Sequence, residues 1–579
     1  MIRQNAPRTR RISGYLGSIL AVTLIFSSAP HAWADAARAA DGKRTAVAHK
    51  GAVASAYPLA SKAGQEILAA GGNAFDAAVA VAAALAVVEP SSSGVGGGGF
   101  FLLHRQSDGF ETMLDAREKA PGAATRDMYL DKAGNPTKGS TDGPLSAAIP
   151  GEPAAFEYVA RKYGKLPLKQ SLQPAIRLAR EGFPLYLRLQ FAIKAKRDIL
   201  ARSPDAAKAF LTADGNAPEV GAIIKQPELA NTLEAIAAQG AKGFYEGRVA
   251  EQLVAGVRAG GGIWTLADLK NYRVVERKPL VGEYHGARIV TAPPPSSGGI
   301  AVLDSLNILA GFDFHDVDAA TRKHLIVEAM RRAYRDRAIF LGDPDFIKMP
   351  LQQLMSTDYA AGQRSSIRAD KAMPSDLLPG IESEPKGMNT THFSVLDAAG
   401  NRAAVTITVN LFFGNGYMPT GTGVLLNNEM DDFSIKPGTP NVFGLIGNTA
   451  NSIAPNKRSL SSMSPTFVET PSGLMVIGSP GGSTIISQVL LGILNYVDGM
   501  GAADIVKYPH YHHQYQPDEI GYEPGALSDD EIAKLQAMGH KLRLSTRQWG
   551  NMQVVTWDFA SGKVEAASDP RGEGEGLVY

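Results

Sequence analysis

Thr390 stands where an irregular stretch of the sequence gives way to a strand-like one. Residues 374–389 contain three prolines and two glycines, which indicates an exposed connector. The segments 391–396 and 402–410 are rich in β-branched and aromatic residues and flank a turn-forming stretch, so they predict a β-hairpin. The Thr390 hydroxyl could be a nucleophile if a base lies beside it, because a neutral hydroxyl reacts slowly. It could equally be the first residue of a strand.

Glu429 and Asp432 are the second feature that could do chemistry. They lie three residues apart within the acidic segment 427–433. The two carboxylates could bind an ammonium group, contribute to a calcium site or lie in an exposed turn. Calcium would need more oxygen ligands than this segment offers.

Gly481 and Gly482 are the third feature. They lie between a predicted strand at 474–477 and a predicted helix that begins at Ile485. Backbone N–H groups at a helix start can stabilise a developing oxyanion, although a plain tight turn explains the glycines equally well. Pro480 occupies the position that a serine takes in a nucleophile elbow, which argues against a serine hydrolase of that kind.

Two other patterns resemble known sites only superficially. The glycines at 94–99 have the spacing of a dinucleotide-binding loop, but a predicted helix precedes them and a strand follows, the reverse of what that loop requires. These glycines are better explained by a close approach of the backbone to another segment. The histidines at 510–513 lack a partner motif with zinc spacing and are typical of core hydrogen bonding.

The elements that would position these groups are both helices and strands. Residues 74–88 are apolar on nearly every side and predict a buried helix. The region 150–290 is mostly helical by its period, and a loop at 437–447 is long enough to be a lid. A further predicted helix ends near Phe340, and we expect its arginines to form a solvated face rather than an anion site. These arginines are Arg331, Arg332, Arg335 and Arg337.

The bulk composition of the 579 residues is that of a globular protein, with 44% hydrophobic and 20% charged residues. Residues 1–34 have the basic, apolar and small-residue regions of a signal peptide, so we expect an exported protein without a stable membrane anchor. Removing the four arginines of this segment changes the net charge from +1 to −3, which argues against nucleic-acid binding. The absence of cysteine excludes thiolate catalysis and cysteine-ligated metals.

Six regions of the sequence, taken in order, resemble the γ-glutamyltranspeptidase family. The resemblance extends over nearly the whole chain that follows the signal segment. The six regions are residues 94–99, 115–118, 293–299, 390–395, 427–433, and 460–465 together with 478–482.

The resemblance implies an α+β fold, the four-layer αββα sandwich of the N-terminal nucleophile (Ntn) hydrolases, made as a precursor that cleaves itself. The implied cut lies between Asn389 and Thr390. It produces a large subunit, residues 35–389, and a small subunit, residues 390–579, which form a heterodimer and build one αββα unit. The cut gives Thr390 an α-amino group with a pKa of about 7.7 to 8.0, which can take the hydroxyl proton near neutral pH.

The resemblance also gives each candidate residue a role. Thr390 is the nucleophile, Thr408 supports it, and Gly481 and Gly482 form the oxyanion hole. A γ-glutamyl group carries a carboxylate and an ammonium on one carbon, and Arg117 can hold the carboxylate bidentately. Glu429 and Asp432 hold the ammonium. Neutral hydrogen bonds come from Asn410, Ser461 and Ser462.

The implied reaction transfers a γ-glutamyl group from glutathione or another γ-glutamyl compound to water or to an amino acid or dipeptide. No metal or cofactor is implied. One alternative is a cephalosporin or glutaryl acylase of the same fold, but a glutaryl group has no ammonium for Glu429 and Asp432 to bind. The other alternative is an uncleaved, inactive relative that only binds γ-glutamyl compounds.

Phe443, in the predicted lid, departs from the family pattern, since several bacterial members have tyrosine there. We therefore expect a weaker latch between the lid and Asn410.

Overall fold

The computed structural model describes residues 48–378, 390–546 and 548–579. The predicted signal peptide at 1–34 and Asn389 of the predicted cleavage site lie outside these ranges. Within them, no helix combines the length and the apolar character that crossing a membrane requires.

Eighteen strands form the sheets of the described chain. In chain order they are β1 (Ala52–Ser55), β2 (Gly98–Arg105), β3 (Phe110–Ala116), β4 (Phe183–Pro184), β5 (Ile223–Ile224), β6 (Val275–Arg277), β7 (Leu280–Tyr284), β8 (Ala287–Thr291), β9 (Thr391–Leu396), β10 (Arg402–Thr408), β11 (Thr466–Thr470), β12 (Gly473–Gly478), β13 (Tyr511–His512), β14 (Ile520–Tyr522), β15 (Leu542–Leu544), β16 (Gln553–Asp558), β17 (Val564–Ser568) and β18 (Glu575–Val578).

Seventeen α-helices accompany the strands in the same residues. They are α1 (Pro58–Ala69), α2 (Ala74–Val88), α3 (Glu152–Lys162), α4 (Leu168–Glu181), α5 (Leu187–Leu200), α6 (Pro204–Phe210), α7 (Pro227–Gln239), α8 (Lys242–Tyr245), α9 (Gly247–Ala259), α10 (Leu266–Lys270), α11 (Gly298–Leu309), α12 (Ala319–Phe340), α13 (Leu351–Leu354), α14 (Thr357–Arg364), α15 (Ile485–Val497), α16 (Ala502–Lys507) and α17 (Asp529–Ala537).

Two antiparallel sheets are stacked at the centre. The first has seven strands in the order β18-β1-β9-β10-β2-β3-β6, and the second has six in the order β17-β16-β12-β11-β8-β7. Their facing sides pack together, and Ser394 of β9 donates across the gap to the carbonyls of Val476, at 3.2 Å, and Gln553, at 3.1 Å. The predicted hairpin is therefore confirmed as β9 and β10, and it lies inside the first sheet rather than at an edge.

Helices cover the outer side of each sheet. The first sheet packs against α1, α2 and their neighbours, and the second against α11, α15 and α16. All 15 residues of α2 are buried, which confirms the prediction for 74–88. A capping box begins this helix, since Asn73 accepts from the backbone of Asp76 and the Asp76 side chain accepts from Asn73 N. The layers have the order helix, sheet, sheet, helix, which confirms the four-layer αββα sandwich.

One expectation from the sequence is confirmed except at its end, and another was wrong. The region 150–290 is mostly helical, as predicted, but the helices end with α10 and its last part forms β6, β7 and β8, of which β6 and β7 are edge strands. Side chains of β7 alternate between partly buried and exposed, a period of two that the helical interpretation missed. The arginines of α12 do not form a solvated face, because Arg331, Arg332 and Arg337 are buried.

Candidate active site

Thr390 lies directly before β9, and Thr408 ends the neighbouring strand β10. The antiparallel pairing of the two strands brings the Thr390 Oγ1 and Thr408 Oγ1 atoms to 3.3 Å. Both residues are buried. The glycine run before β2 permits this arrangement, because a Cβ atom on Gly97 would lie 1.9 Å from the carbonyl oxygen of Thr408. This contact confirms the predicted close approach of the glycine segment to another part of the backbone.

Asn410 follows β10 and turns the chain with a positive φ of 75°. Its backbone N–H donates to Thr408 Oγ1 at 2.8 Å, and its side-chain amide donates to the carbonyl of Asn428 at 2.8 Å. The second bond ties the end of β10 to the acidic segment 427–433. Two further bonds join the same segments, from the Asn428 N–H to the carbonyl of Val409 at 3.3 Å and from the Leu411 N–H to Asn428 Oδ1 at 3.1 Å, and together they hold the nucleophile candidate beside the acidic candidates.

Arg117 follows β3 and forms a buried ion-pair cluster with the acidic segment. Its guanidinium donates to Glu429 Oε1 and Asp432 Oδ2 through separate nitrogens, and Glu118 Oε2 lies 3.6 Å from Nη1. The Arg117 Nε atom donates to the carbonyl of Ser459 at 3.3 Å. The predicted carboxylate ligand and the predicted ammonium ligands therefore neutralise one another in this structure.

Burial and charge act in opposite directions on this cluster. Burial alone would lower the pKa of Arg117, but the Glu429 and Asp432 carboxylates raise it above its ordinary value, so the guanidinium stays charged. Burial raises the pKa of Glu429 well above its usual range. Burial also raises the pKa of Glu118 to about 7, against the opposing effect of Arg117. The cluster carries no excess positive charge at neutral pH.

Ser461 and Ser462 are fixed by the proline-rich loop at 293–299. The Ser461 N–H donates to the carbonyl of Pro295 at 2.9 Å. In return, Ser297 donates to the carbonyl of Ser461 through its N–H, at 2.8 Å, and through its hydroxyl, at 2.6 Å. Ser297, Ser461 and Ser462 are all buried, so these hydrogen bonds fix the backbone that carries the two serine hydroxyls.

Gly481 and Gly482 follow β12 and begin the turn into α15. Both have positive φ values, 142° and 56°, which a side chain would adopt only with strain. A Cβ atom on Gly482 would lie 2.4 Å from the ring of Phe443, so the glycine also makes room for this residue of the loop 437–447. The ring of Phe443 is buried, and the amide of Asn410 is bonded to Asn428.

One cavity brings together nine of the ten predicted site residues, and Gly481 is the one outside its lining. The lining is completed by five residues to which the sequence assigned no catalytic or substrate-binding role, although it placed Phe443 in a lid: Arg337, Phe443, Leu445, Met463 and Ile485. The nine predicted residues are Arg117, Thr390, Thr408, Asn410, Glu429, Asp432, Ser461, Ser462 and Gly482.

Groups of metal-ligating side chains occur elsewhere in the described chain, but arginines already neutralise their carboxylates. Arg331 and Arg332 pair with Glu328 in one group, and Arg288 pairs with both carboxylates of the other. The two groups are His324 with Glu328 and His540, and His104 with Glu111 and Glu469. In the histidine segment 510–513, His512 bonds to Ser487 and His513 to Asp518.

Comparison with known proteins identifies the family of the chain. A model described as Gamma-glutamyltranspeptidase matches residues 60–579. A glutathione hydrolase proenzyme from Escherichia coli is 43% identical over 530 residues, covering 90% of this chain and 91% of that protein. One from a Pseudomonas species is 46% identical over 502 residues, covering 85% and 87%. A crystal structure of a cephalosporin acylase from Bacillus halodurans superposes with a TM-score of 0.80 at 30% identity, covering 92% and 96%.

The matched residues include every strand of the two central sheets except β1, together with nearly all of the helices that flank them, and the acylase structure shares the layered architecture. The chain therefore belongs to the gamma-glutamyltranspeptidase family, whose members are enzymes with the Ntn-hydrolase fold.

Proposed function

We propose that this chain transfers the γ-glutamyl group of glutathione and related compounds to water or to amino acid and dipeptide acceptors. One observation carries the proposal: a single buried cavity has the Thr390 and Thr408 hydroxyls 3.3 Å apart in its lining, together with an arginine and two carboxylates. A nucleophile and a zwitterion-binding cluster are the two things that γ-glutamyl transfer requires.

A zwitterion fits the ion-pair cluster because it exchanges one set of charge pairs for another. The substrate carboxylate would take the place of a protein carboxylate on Arg117, and the substrate ammonium would bind Glu429 and Asp432. Every buried charge then keeps a partner, which avoids the cost of several kcal/mol that an unpaired buried ion incurs. Asn410, Ser461 and Ser462 would add neutral hydrogen bonds at the cavity wall.

The base for the reaction is proposed to be the α-amino group of Thr390, released by cleavage after Asn389. The nearest histidine in sequence is not available, because both nitrogens of His392 are bonded, Nδ1 to Thr406 at 2.8 Å and Nε2 to Ser394 at 3.2 Å. Burial also lowers the pKa of His392 to about 3, so its ring stays neutral. A free amine beside the hydroxyl supplies what the imidazole cannot.

The chemistry then runs in two steps. The amine takes the Thr390 hydroxyl proton while Oγ1 attacks the γ-carbonyl carbon, and the oxyanion accepts from the N–H groups of Gly481 and Gly482. Collapse expels the amine of the donor, which takes up the proton, and leaves a γ-glutamyl ester on Thr390. Water or an acceptor amine attacks the ester, and the hydroxyl is regenerated. One oxyanion donor of this kind contributes about 2.7 to 4 kcal/mol to transition-state stabilisation in a protease.

The proposed enzyme is exported, with residues 1–34 removed. Cleavage then gives subunits 35–389 and 390–579, which remain associated as a heterodimer. The basic and apolar regions of residues 1–34 support export. The shared sheet supports lasting association, since β1 and β2 of the large subunit pair with β9 and β10 of the small one.

The similarity to the cephalosporin acylase makes acylase activity the second candidate. The two functions are separated by the turnover of γ-glutamyl-p-nitroanilide and of glutaryl-p-nitroanilide, which lacks the ammonium. We expect preference for the γ-glutamyl substrate, and Asp432→Asn should reduce that preference. Faster turnover of the glutaryl amide by the unaltered enzyme would replace the proposal with an acylase function. Thr390→Ala is the control, since it should turn over neither substrate.

A further inference from the structure

Arg337 is a second buried arginine in the cavity and has surroundings unlike those of Arg117. It lies near the end of α12 and lines the same cavity as Thr390. Its Nε atom donates to Ser297 Oγ at 2.9 Å, and its Nη2 atom donates to Ser462 Oγ at 3.4 Å. Among the residues that the structure describes, no carboxylate oxygen lies within 4.0 Å of a side-chain nitrogen of Arg337, the distance that defines an ion pair.

No carboxylate of the described residues is therefore in ion-pair contact with Arg337, and the nearby charge of Asp432 acts on it only through space. Burial lowers the pKa of Arg337 to about 10, which still leaves the guanidinium protonated at neutral pH. Arg117, by contrast, contacts two carboxylates and has a third, that of Glu118, at 3.6 Å. Of the two cavity arginines, Arg337 is the one whose charge an incoming anion would find available.

The contact with Ser462 also fixes the direction of a hydroxyl proton. A guanidinium has no acceptor atom, so Ser462 Oγ must accept from Arg337 and cannot donate to it. The hydroxyl proton is then left for another partner. Ser297 shows the same pattern, because its hydroxyl accepts from Arg337 and donates to the carbonyl of Ser461 at 2.6 Å.

We propose that Arg337 is a positioning residue for the carboxylate of the γ-glutamyl group, holding the Ser462 hydroxyl as a donor and supplying a positive charge that, unlike that of Arg117, is not paired with a carboxylate. This inference rests on the proposed function. It assigns to the carboxylate end of the cavity a second cation, which acts through Ser462 and through its field. The ammonium end, at Glu429 and Asp432, is left unchanged.

The test compares two substrates that differ only at the carboxylate. L-γ-Glutamyl-p-nitroanilide carries both charged groups, whereas 4-aminobutanoyl-p-nitroanilide keeps the ammonium and lacks the carboxylate. We expect Arg337→Gln to lower the ratio of their kcat/KM values roughly tenfold or more, the effect of losing one charge-assisted interaction. Arg337→Lys, which keeps the charge, should restore part of the ratio. Arg335→Gln, on the same helix but outside the cavity lining, is the matched control and should leave the ratio unchanged.

A second measurement separates positioning from general damage to the fold. If Arg337 acts through Ser462, Arg337→Gln should reduce kcat/KM for the γ-glutamyl substrate less in a Ser462→Ala background than in the unaltered enzyme. The inference would be overturned if Arg337→Gln lowered kcat/KM by the same factor for both substrates, so that their ratio stayed unchanged. The effects of Arg337→Gln and Ser462→Ala would then also be fully additive. Those outcomes leave the proposed function intact. The proposed function fails instead if the unaltered enzyme does not turn over γ-glutamyl-p-nitroanilide or turns over the glutaryl amide faster.

Discussion

Glu118 should make the protein less stable as the pH rises. Its carboxyl group is buried, and neither side-chain oxygen has a hydrogen-bond partner among the described residues. Burial raises its pKa to about 7 from the ordinary 4.5. The folded state then holds a proton that the unfolded chain releases near pH 4.5. Stability is therefore full below that pH and is lost as the pH rises through about 7.

The size of the effect follows from the same values. The interval between the ordinary 4.5 and about 7, at about 1.4 kcal/mol for each pH unit, corresponds to roughly 3 kcal/mol of unfolding free energy. Glu118→Gln removes the ionisable group and keeps the shape. Between about pH 5 and pH 8, the unfolding free energy of the variant should fall by about 3 kcal/mol less than that of the unaltered protein.

Urea unfolding followed by tryptophan fluorescence across this range measures the difference. Glu251→Gln is the control, because this carboxylate is exposed on α9 and should leave the pH dependence parallel to that of the unaltered protein. Glu152 gives a graded comparison: burial raises its pKa well above the usual range, so the flattening caused by Glu152→Gln should extend to higher pH than that of Glu118→Gln. Parallel curves for Glu118→Gln and the unaltered protein would refute the reasoning.

Three further predictions follow from individual contacts. Thr408→Val removes a hydroxyl 3.3 Å from that of Thr390 and should lower kcat about tenfold, whereas Thr408→Ser should restore most of it; equal activity of the two variants would contradict this. Phe443→Tyr should slow the dissociation of a bound γ-glutamyl analogue, measured by stopped flow, because a hydroxyl can latch the lid; equal dissociation rates in both proteins would count against it. Limited proteolysis should spare the segment that ends at Leu378, because the Tyr515 hydroxyl donates to its carbonyl at 2.9 Å; cuts before that residue would show that the anchor fails.

The hairpin and the helix over 74–88 could be predicted because their signals are local. Alternating β-branched residues on either side of a turn indicate strands wherever the segment lies in the fold, and a run of small apolar residues leaves a helix no polar face. The same local signals were too weak for β6, β7 and β8. These strands are three to five residues long, too short for a period of two to stand out, and β6 and β8 depend on pairing with the distant strands β3 and β11.

The cavity could be predicted only through the family resemblance, because its residues come from segments far apart in the chain. Arg117 and Glu429 are separated by 312 positions and meet only once β3 and the segment after β10 are in place. The hydroxyls of Ser461 and Ser462 likewise depend on the loop at 293–299. Spacing along the sequence carries no information about such contacts.

The prediction that Arg337 belongs to a solvated face was wrong, and its position on the helix already distinguished it from its neighbours. The sequence analysis predicts one solvated face for four arginines within seven residues. Because a helix has 3.6 residues per turn, Arg337 points roughly 120° away from Arg331. The other arginines near it lie within about 100° of one another. An arginine that points away from the face shared by its neighbours indicates a partner of its own. For Arg337 this partner is the pair of hydroxyls on Ser297 and Ser462.

In the proposed mechanism, Thr390 becomes a nucleophile only when the bond before it is cut. The most direct measurement is the N-terminal sequence of the smaller polypeptide in an active preparation, with its intact mass. The polypeptide should begin at Thr390 and end at Tyr579, and Thr390→Ala should give one uncut chain without activity. A single uncut chain that retains activity, or a smaller polypeptide that begins at another residue, would contradict the account.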